Sequence, residues 1–199
     1  MTIKLGLTGS IGMGKSTTAH MFRELNIPVW DADETVHRLY AKGGAAVAPV
    51  AALIPEAVQN GMIHRDAIKA AISADPTLLD RLEKIVHPLV AQDRASFLAN
   101  HAKDPLVVLD IPLLFETGAD AWLDAVLVVT VDAPTQAARV MARPGMTKAT
   151  FAQILARQTP DAEKRARADH VIETKTLEHT RADVAKLVTA LLDAGLDHA

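Results

Sequence analysis

The segment Gly9-Ser10-Ile11-Gly12-Met13-Gly14-Lys15-Ser16-Thr17 decides the fold. Its spacing is G-x-x-x-x-G-K-[ST], the pattern of a loop that cradles phosphates. Gly9, Gly12 and Gly14 permit backbone conformations closed to other residues, and let the main chain approach phosphate without a Cβ in the way. Successive N–H groups of residues 10 to 17 then form an anion-binding nest, reinforced by the positive end of the following helix. Lys15 supplies a point charge for the β- and γ-phosphates, and the Ser16 hydroxyl is the expected Mg²⁺ ligand. The flanks agree with this reading. Ile3-Lys4-Leu5-Gly6-Leu7-Thr8 has the composition of a short buried strand. Thr17 to Leu25 reads as a helix, with Ala19, Met21, Phe22 and Leu25 at apolar spacing. Strand, loop and helix stand in the order that an α/β core requires.

Composition narrows the class. A chain of 199 residues suits one compact domain with insertions. Hydrophobic residues make up 49% and aromatics 4%, so Ala, Leu, Val and Ile must build the core. A net charge of −3 argues against generic polyanion binding, and no nucleic-acid partner is expected. The absence of cysteine excludes disulfides, thiol catalysis and cysteine metal sites. Met1 leads straight into the first strand without an export signal. The longest apolar stretch, Ala45 to Val58, holds two prolines and a glutamate and falls short of the roughly 20 residues that span a bilayer. The expectation is a soluble cytoplasmic protein without a membrane partner.

Working outward from the loop, Asn26 is a C-terminal cap, and Ile27-Pro28-Val29-Trp30 reads as a second strand running into Asp31-Ala32-Asp33. Carboxylates at the end of a parallel strand lie where ligands bind. One of them can accept the proton of an attacking hydroxyl; equally, either can cap a helix beginning at Glu34. Residues 34 to 101 read as a helical insertion, broken at Gly43-Gly44, looser over Ala45 to Val58, and longest from Thr77 to Ala102. Pro88 predicts a kink or break at His87 in that last helix. Pro105 to Asp110 is a buried strand ending in an acid, read either as a Mg²⁺-associated carboxylate or as a turn cap. Ala125 to Val131 is a further apolar strand, and Asp169-His170-Val171-Ile172 a last short one.

Between those two strands, Asp132-Ala133-Pro134 opens a helix on which Arg139 and Arg143 share a face, and Thr147 starts another. From 139 to 167 seven basic residues stand against Asp161 and Glu163, a local excess of +5. Such a run is either a solvated helical face or a mobile lid that brings arginines to a transferring phosphate. Leu177 to Ala194 is an amphipathic helix to which no functional role is given.

Several separated stretches together resemble the dephospho-coenzyme A kinase family. They are Leu7 to Ser16, Asp31-Ala32-Asp33, Ile85-Val86-His87-Pro88, Pro112-Leu113-Leu114-Phe115-Glu116, Arg139-x-x-x-Arg143, Gln158, and Ala168-Asp169-x-Val171-Ile172. One departure is Thr174, at a position where many members have asparagine, so no adenine contact is assigned there. The resemblance implies ATP-dependent phosphorylation of the ribose 3′-hydroxyl of dephospho-coenzyme A. It implies a three-layer phosphate-loop fold with a parallel five-stranded sheet. The core would comprise residues 1–33, 105–133 and 168–199, with a helical acceptor-binding insertion at 34–104 and a lid at 134–167. It makes Asp33 the base, Lys15, Arg139 and Arg143 the catalytic cations, and Asp33, His87 and Leu113 acceptor-site residues. ATP and Mg²⁺ are the expected cofactors. The phosphate loop alone leaves nucleoside monophosphate and shikimate-type kinases open. A guanine-nucleotide switch is disfavoured because neither Asn-Lys-x-Asp nor Asp-x-x-Gly occurs.

Overall fold

The computed structural model describes residues 1–196. Residues 197–199 of the expected core segment 168–199 lie outside the described residues. In chain order the elements are β1 (Ile3–Thr8), α1 (Lys15–Glu24), β2 (Val29–Asp31), α2 (Ala32–Tyr40), α3 (Val47–Leu53), β3 (Val58–Gln59), β4 (Met62–Ile63), α4 (Arg65–Ala74) and α5 (Thr77–Asn100). They continue with β5 (Leu106–Asp110), β6 (Ala125–Thr130), α6 (Ala133–Met141), α7 (Lys148–Leu155), α8 (Asp161–Arg167), β7 (His170–Glu173) and α9 (Leu177–Leu196). The chain divides into two compact units, one formed by Met1–Trp30 with His101–Ala199, the other by Asp31–Asn100.

The first unit is built on a five-stranded sheet in the order β2-β5-β1-β6-β7, in which β1 pairs parallel to both β5 and β6, and β6 to β7. The central strands β5, β1 and β6 read as nearly continuous apolar runs because both of their faces are covered. On one face Leu5, Leu7, Val108, Leu127 and Val129 pack against Met21 and Phe22 of α1 and Val184, Leu187 and Val188 of α9. Burying each such side chain contributes about 1.5–3 kcal/mol. The C-terminal helix therefore earns its amphipathic pattern as a core element. On the other face Gly6 is covered so closely by Leu114 and Leu123 that a Cβ there would clash with both. The order of strands has a consequence for chemistry: β1 lies between β5 and β6, so whatever follows those strands flanks the loop that follows β1.

The second unit has its own core, with Val50, Ile54, Ile63, Ile68, Leu82 and Val86 drawn from α3, the 54–63 segment, α4 and α5. Asp31 is the N-cap of α2, its carboxylate accepting from Glu34 N–H at 2.9 Å. The helix thus starts at Ala32, two residues before the sequence expectation, and leaves Asp33 exposed in its first turn.

Two further expectations for this unit are corrected. Residues 34 to 101 are not wholly helical: β3 and β4 form a small antiparallel hairpin joined by Asn60-Gly61. Both turn residues have positive φ, 54° and 78°, the conformation that an Asn-Gly two-residue hairpin loop uses. Nor does Pro88 break the long helix, since α5 runs for 24 residues through it. Pro88 and Lys84, whose carbonyl loses its helical donor, are both exposed, so water can satisfy that carbonyl and reduce the cost of the proline.

Candidate active site

Gly14 sets the geometry of the phosphate loop. It takes φ +92° at the N-cap of α1, where other residues are strained, and Thr174 lies so close beneath it that a Cβ would sit 2.9 Å from the threonine hydroxyl. Gly9 is required by proximity instead, since a Cβ would stand 2.7 Å from the Val129 carbonyl. The N–H groups of Lys15, Ser16 and Thr17 open α1, have no acceptor within the helix, and receive no side-chain cap. Ser16 and Thr17 are exposed. An uncapped ten-residue helix with its first donors facing outward has the geometry and the dipole to receive an anion.

Lys15 does not float over this loop. Its Nζ lies 2.5 Å from Asp110 Oδ1 at the end of β5, with the Asp110 side chain fully buried. Asp110 is therefore the partner of Lys15 rather than a turn cap. That contact spans 95 residues of chain and follows from β5 lying beside β1.

Thr174 ties the loop to the segment carrying the arginines. Its hydroxyl donates to the Met13 carbonyl at 2.8 Å and accepts from Arg139 Nη1 at 3.0 Å, while its carbonyl accepts from Arg139 Nη2 at 2.5 Å. Sequence reasoning noted Thr174 only as a departure from the family pattern; the structure makes it the seat of Arg139. Arg143 does not share the helical face of Arg139. α6 ends at Met141, and Arg143 is exposed in the turn that follows, because a residue preceding proline, here Pro144, is driven out of helical conformation. Leu113 is 42% exposed, and His87 is exposed on α5 in the other unit.

The basic run of 139–167 splits into two groups. Lys164 of α8 is fully buried, 2.8 Å from Glu116. Arg165 pairs with Asp161, and Arg167 pairs with Asp120 while lying 4.3 Å above the Phe115 ring. Among the described residues Arg143, Lys148 and Arg157 are exposed and have no ion pair. The Pro112–Glu116 segment is thus the anchorage of α8. Burial pushes the Glu116 carboxyl up, but the Lys164 ammonium and the Thr159 N–H outweigh it and hold the group below the usual glutamate range. A carboxyl lowered on folding stabilises the protein above its ordinary pKa, and that contribution disappears as pH falls through the lowered value. Glu116→Gln should cost about 3 kcal/mol because it strands a buried ammonium, whereas Glu116→Gln combined with Lys164→Met, which removes both charges, should recover much of that loss. Urea unfolding of the two variants checks this; equal losses would remove the buried-charge explanation.

A family model described as dephospho-CoA kinase matches residues 3–179 of this chain. The dephospho-CoA kinase of Jannaschia sp. is 61% identical over 193 residues, covering 97% of this chain and 99% of that protein. The chain belongs to the dephospho-CoA kinase family. Its fold matches a crystal structure from Thermus thermophilus with a TM-score of 0.84 at 35% identity, covering 95% and 97% of the two chains. The dephospho-CoA kinase from Campylobacter jejuni shares the fold at a TM-score of 0.75 and 21% identity, over 98% and 99% of the chains. A member of this family is a phosphotransferase that draws on a nucleotide, and the nucleoside monophosphate and shikimate-type readings left open by the loop are the less supported ones. No helix among the described residues is long and apolar enough to cross a membrane.

Proposed function

We propose that this chain transfers the γ-phosphoryl group of ATP to the ribose 3′-hydroxyl of dephospho-coenzyme A, giving coenzyme A and ADP. The observation that carries the donor half is the uncapped N-terminus of α1 with Lys15 set beside it; family membership carries the acceptor half. Backbone N–H groups from residues 10 to 17 and the Lys15 ammonium hold the donor phosphates. Asp110 fixes Lys15 in place.

Asp33 accepts the proton of the 3′-hydroxyl as its oxygen bonds to the γ-phosphorus and the bridging oxygen leaves with ADP. Support for Asp33 comes from its place in the Asp-Ala-Asp motif, and from Asp31 being taken up in capping α2. Arg139, seated on Thr174, and Arg143 neutralise charge on the transferring group. His87 and Leu113 contribute to acceptor binding, with residues 34 to 104 as the acceptor-binding insertion. Since α8 is fastened through Glu116, Phe115 and Asp120, the moving portion of the 134–167 lid is residues 142 to 157, which carry Arg143, Lys148 and Arg157.

A Mg²⁺ ion fits the donor set. Mg²⁺ takes oxygen ligands and is commonly held by one or two protein groups together with substrate phosphates and water. Ser16 would hold it, with the Asp110 carboxylate near the same helix terminus. Bound there, Mg²⁺ neutralises phosphate charge.

The test is ADP release on addition of ATP and Mg²⁺, with and without dephospho-coenzyme A. Release that requires this acceptor is the expected result. Acceptor-independent hydrolysis, or preference for a nucleoside monophosphate, would sink the reading.

A further inference from the structure

The backbone of Ile11, at the tip of the phosphate loop, is gripped from two directions, one through each of the peptide groups that flank it. Its carbonyl accepts from Gln136 Nε2 at 2.8 Å, and its N–H donates to Gln158 Oε1 at 3.1 Å. The chemistry leaves no ambiguity in the two side-chain amides, because only an oxygen can accept from N–H and only a nitrogen can donate to a carbonyl. Gln136 is 6% exposed on α6, and Gln158 is half-buried in the turn after α7.

Each glutamine stands on a segment held independently. α6 is capped by Asp132 and packed through Val140, which is fully buried, and its Arg139 is bound to Thr174. Beside Gln158, the Thr159 N–H donates to Glu116 Oε1 at 2.7 Å. Gly12 next to the tip leaves no room of its own, since a Cβ there would sit 3.2 Å from the Gln136 carbonyl. A tip flanked by Gly9 and Gly12 has wide conformational freedom unless something selects one arrangement.

We propose that Gln136 and Gln158 are positioning residues that together hold the phosphate loop in its nucleotide-binding shape, acting through the backbone on either side of Ile11. Neither side chain needs to touch the nucleotide. Their effect is to remove, before binding, the ordering that binding would otherwise require. Because the segment 142 to 157 leads directly into Gln158, this grip also links the arginine-bearing lid to the loop. The inference rests on the nucleotide reading of the loop and is independent of which acceptor is used.

ADP with Mg²⁺ is the probe, and its dissociation constant is measured by calorimetry without acceptor. Gln136→Met and Gln158→Met should each weaken ADP binding about 3- to 10-fold, the effect of one lost hydrogen bond. The double variant should be within about twofold of the weaker single variant, since both act on the backbone of one residue. Exchange of the Ile11 amide hydrogen should accelerate in each. Unchanged ADP affinity in the single variants, or a double variant showing the product of the two separate losses, overturns the proposal. If Gln136→Met fails to fold, Gln158→Met decides alone: it weakens ADP binding and exposes the Ile11 amide to exchange, or the proposal falls. Absence of turnover with dephospho-coenzyme A in the unaltered chain would defeat the acceptor reading while leaving these binding measurements intact.

Discussion

Asp33→Asn lowers turnover about 10²- to 10⁴-fold, the usual contribution of a general base, while ATP binding stays near that of the unaltered chain. The substitution is nearly isosteric, and Asp33 is exposed in the first turn of α2, so the fold has little to lose. The structural cost is limited to the interaction of one carboxylate with the helix N-terminus, about 0.3–1 kcal/mol. Asp31 supplies the contrast. Its carboxylate caps Glu34 N–H, and Asp31→Ala should cost about 1 kcal/mol of stability. Steady-state turnover, ATP calorimetry and thermal unfolding on both variants separate the two roles. Near-normal turnover in Asp33→Asn would remove Asp33 as the base.

Lys15→Met should lose both tight ATP binding and at least about 10² of the rate, through loss of preorganised charge at the phosphates. A second loss accompanies it. The ammonium is the partner of Asp110, whose side chain is fully buried, so its removal should destabilise the fold by about 3 kcal/mol. Lys15→Met combined with Asp110→Asn distinguishes the two effects. The added substitution removes the stranded charge and should restore much of the stability without restoring ATP binding. If ATP affinity returned along with stability, Lys15 would act only by holding the structure together.

The parts of this protein legible in its sequence are those whose physics is local. Glycine spacing, a lysine and a hydroxyl at the head of a helix specify a phosphate loop whatever surrounds them, and continuous apolar runs specify buried parallel strands. The three central strands of the sheet were readable in this way, and the two edge strands as short segments beside them. Helix boundaries next to proline were less so. At Pro144 the helix stopped short of Arg143, whereas at Pro88 a fully solvated face let it continue. The Asn60-Gly61 hairpin was a local signal that the helical reading of residues 34–101 passed over.

Partnership, by contrast, was not local. Lys15 with Asp110, Glu116 with Lys164, Thr174 with Arg139, and Ile11 with Gln136 and Gln158 join residues far apart in the chain. A sequence pattern states which groups exist but not which pay for one another's burial. That is set by the strand order β2-β5-β1-β6-β7, which puts the ends of β5 and β6 on either side of the loop after β1. The sequence alone singled out Gly9 to Thr17 as the place proposed to hold phosphates. Only the packing of the sheet decided which side chains hold the loop itself, because a buried charge or amide must be met by whichever partner the topology brings within reach.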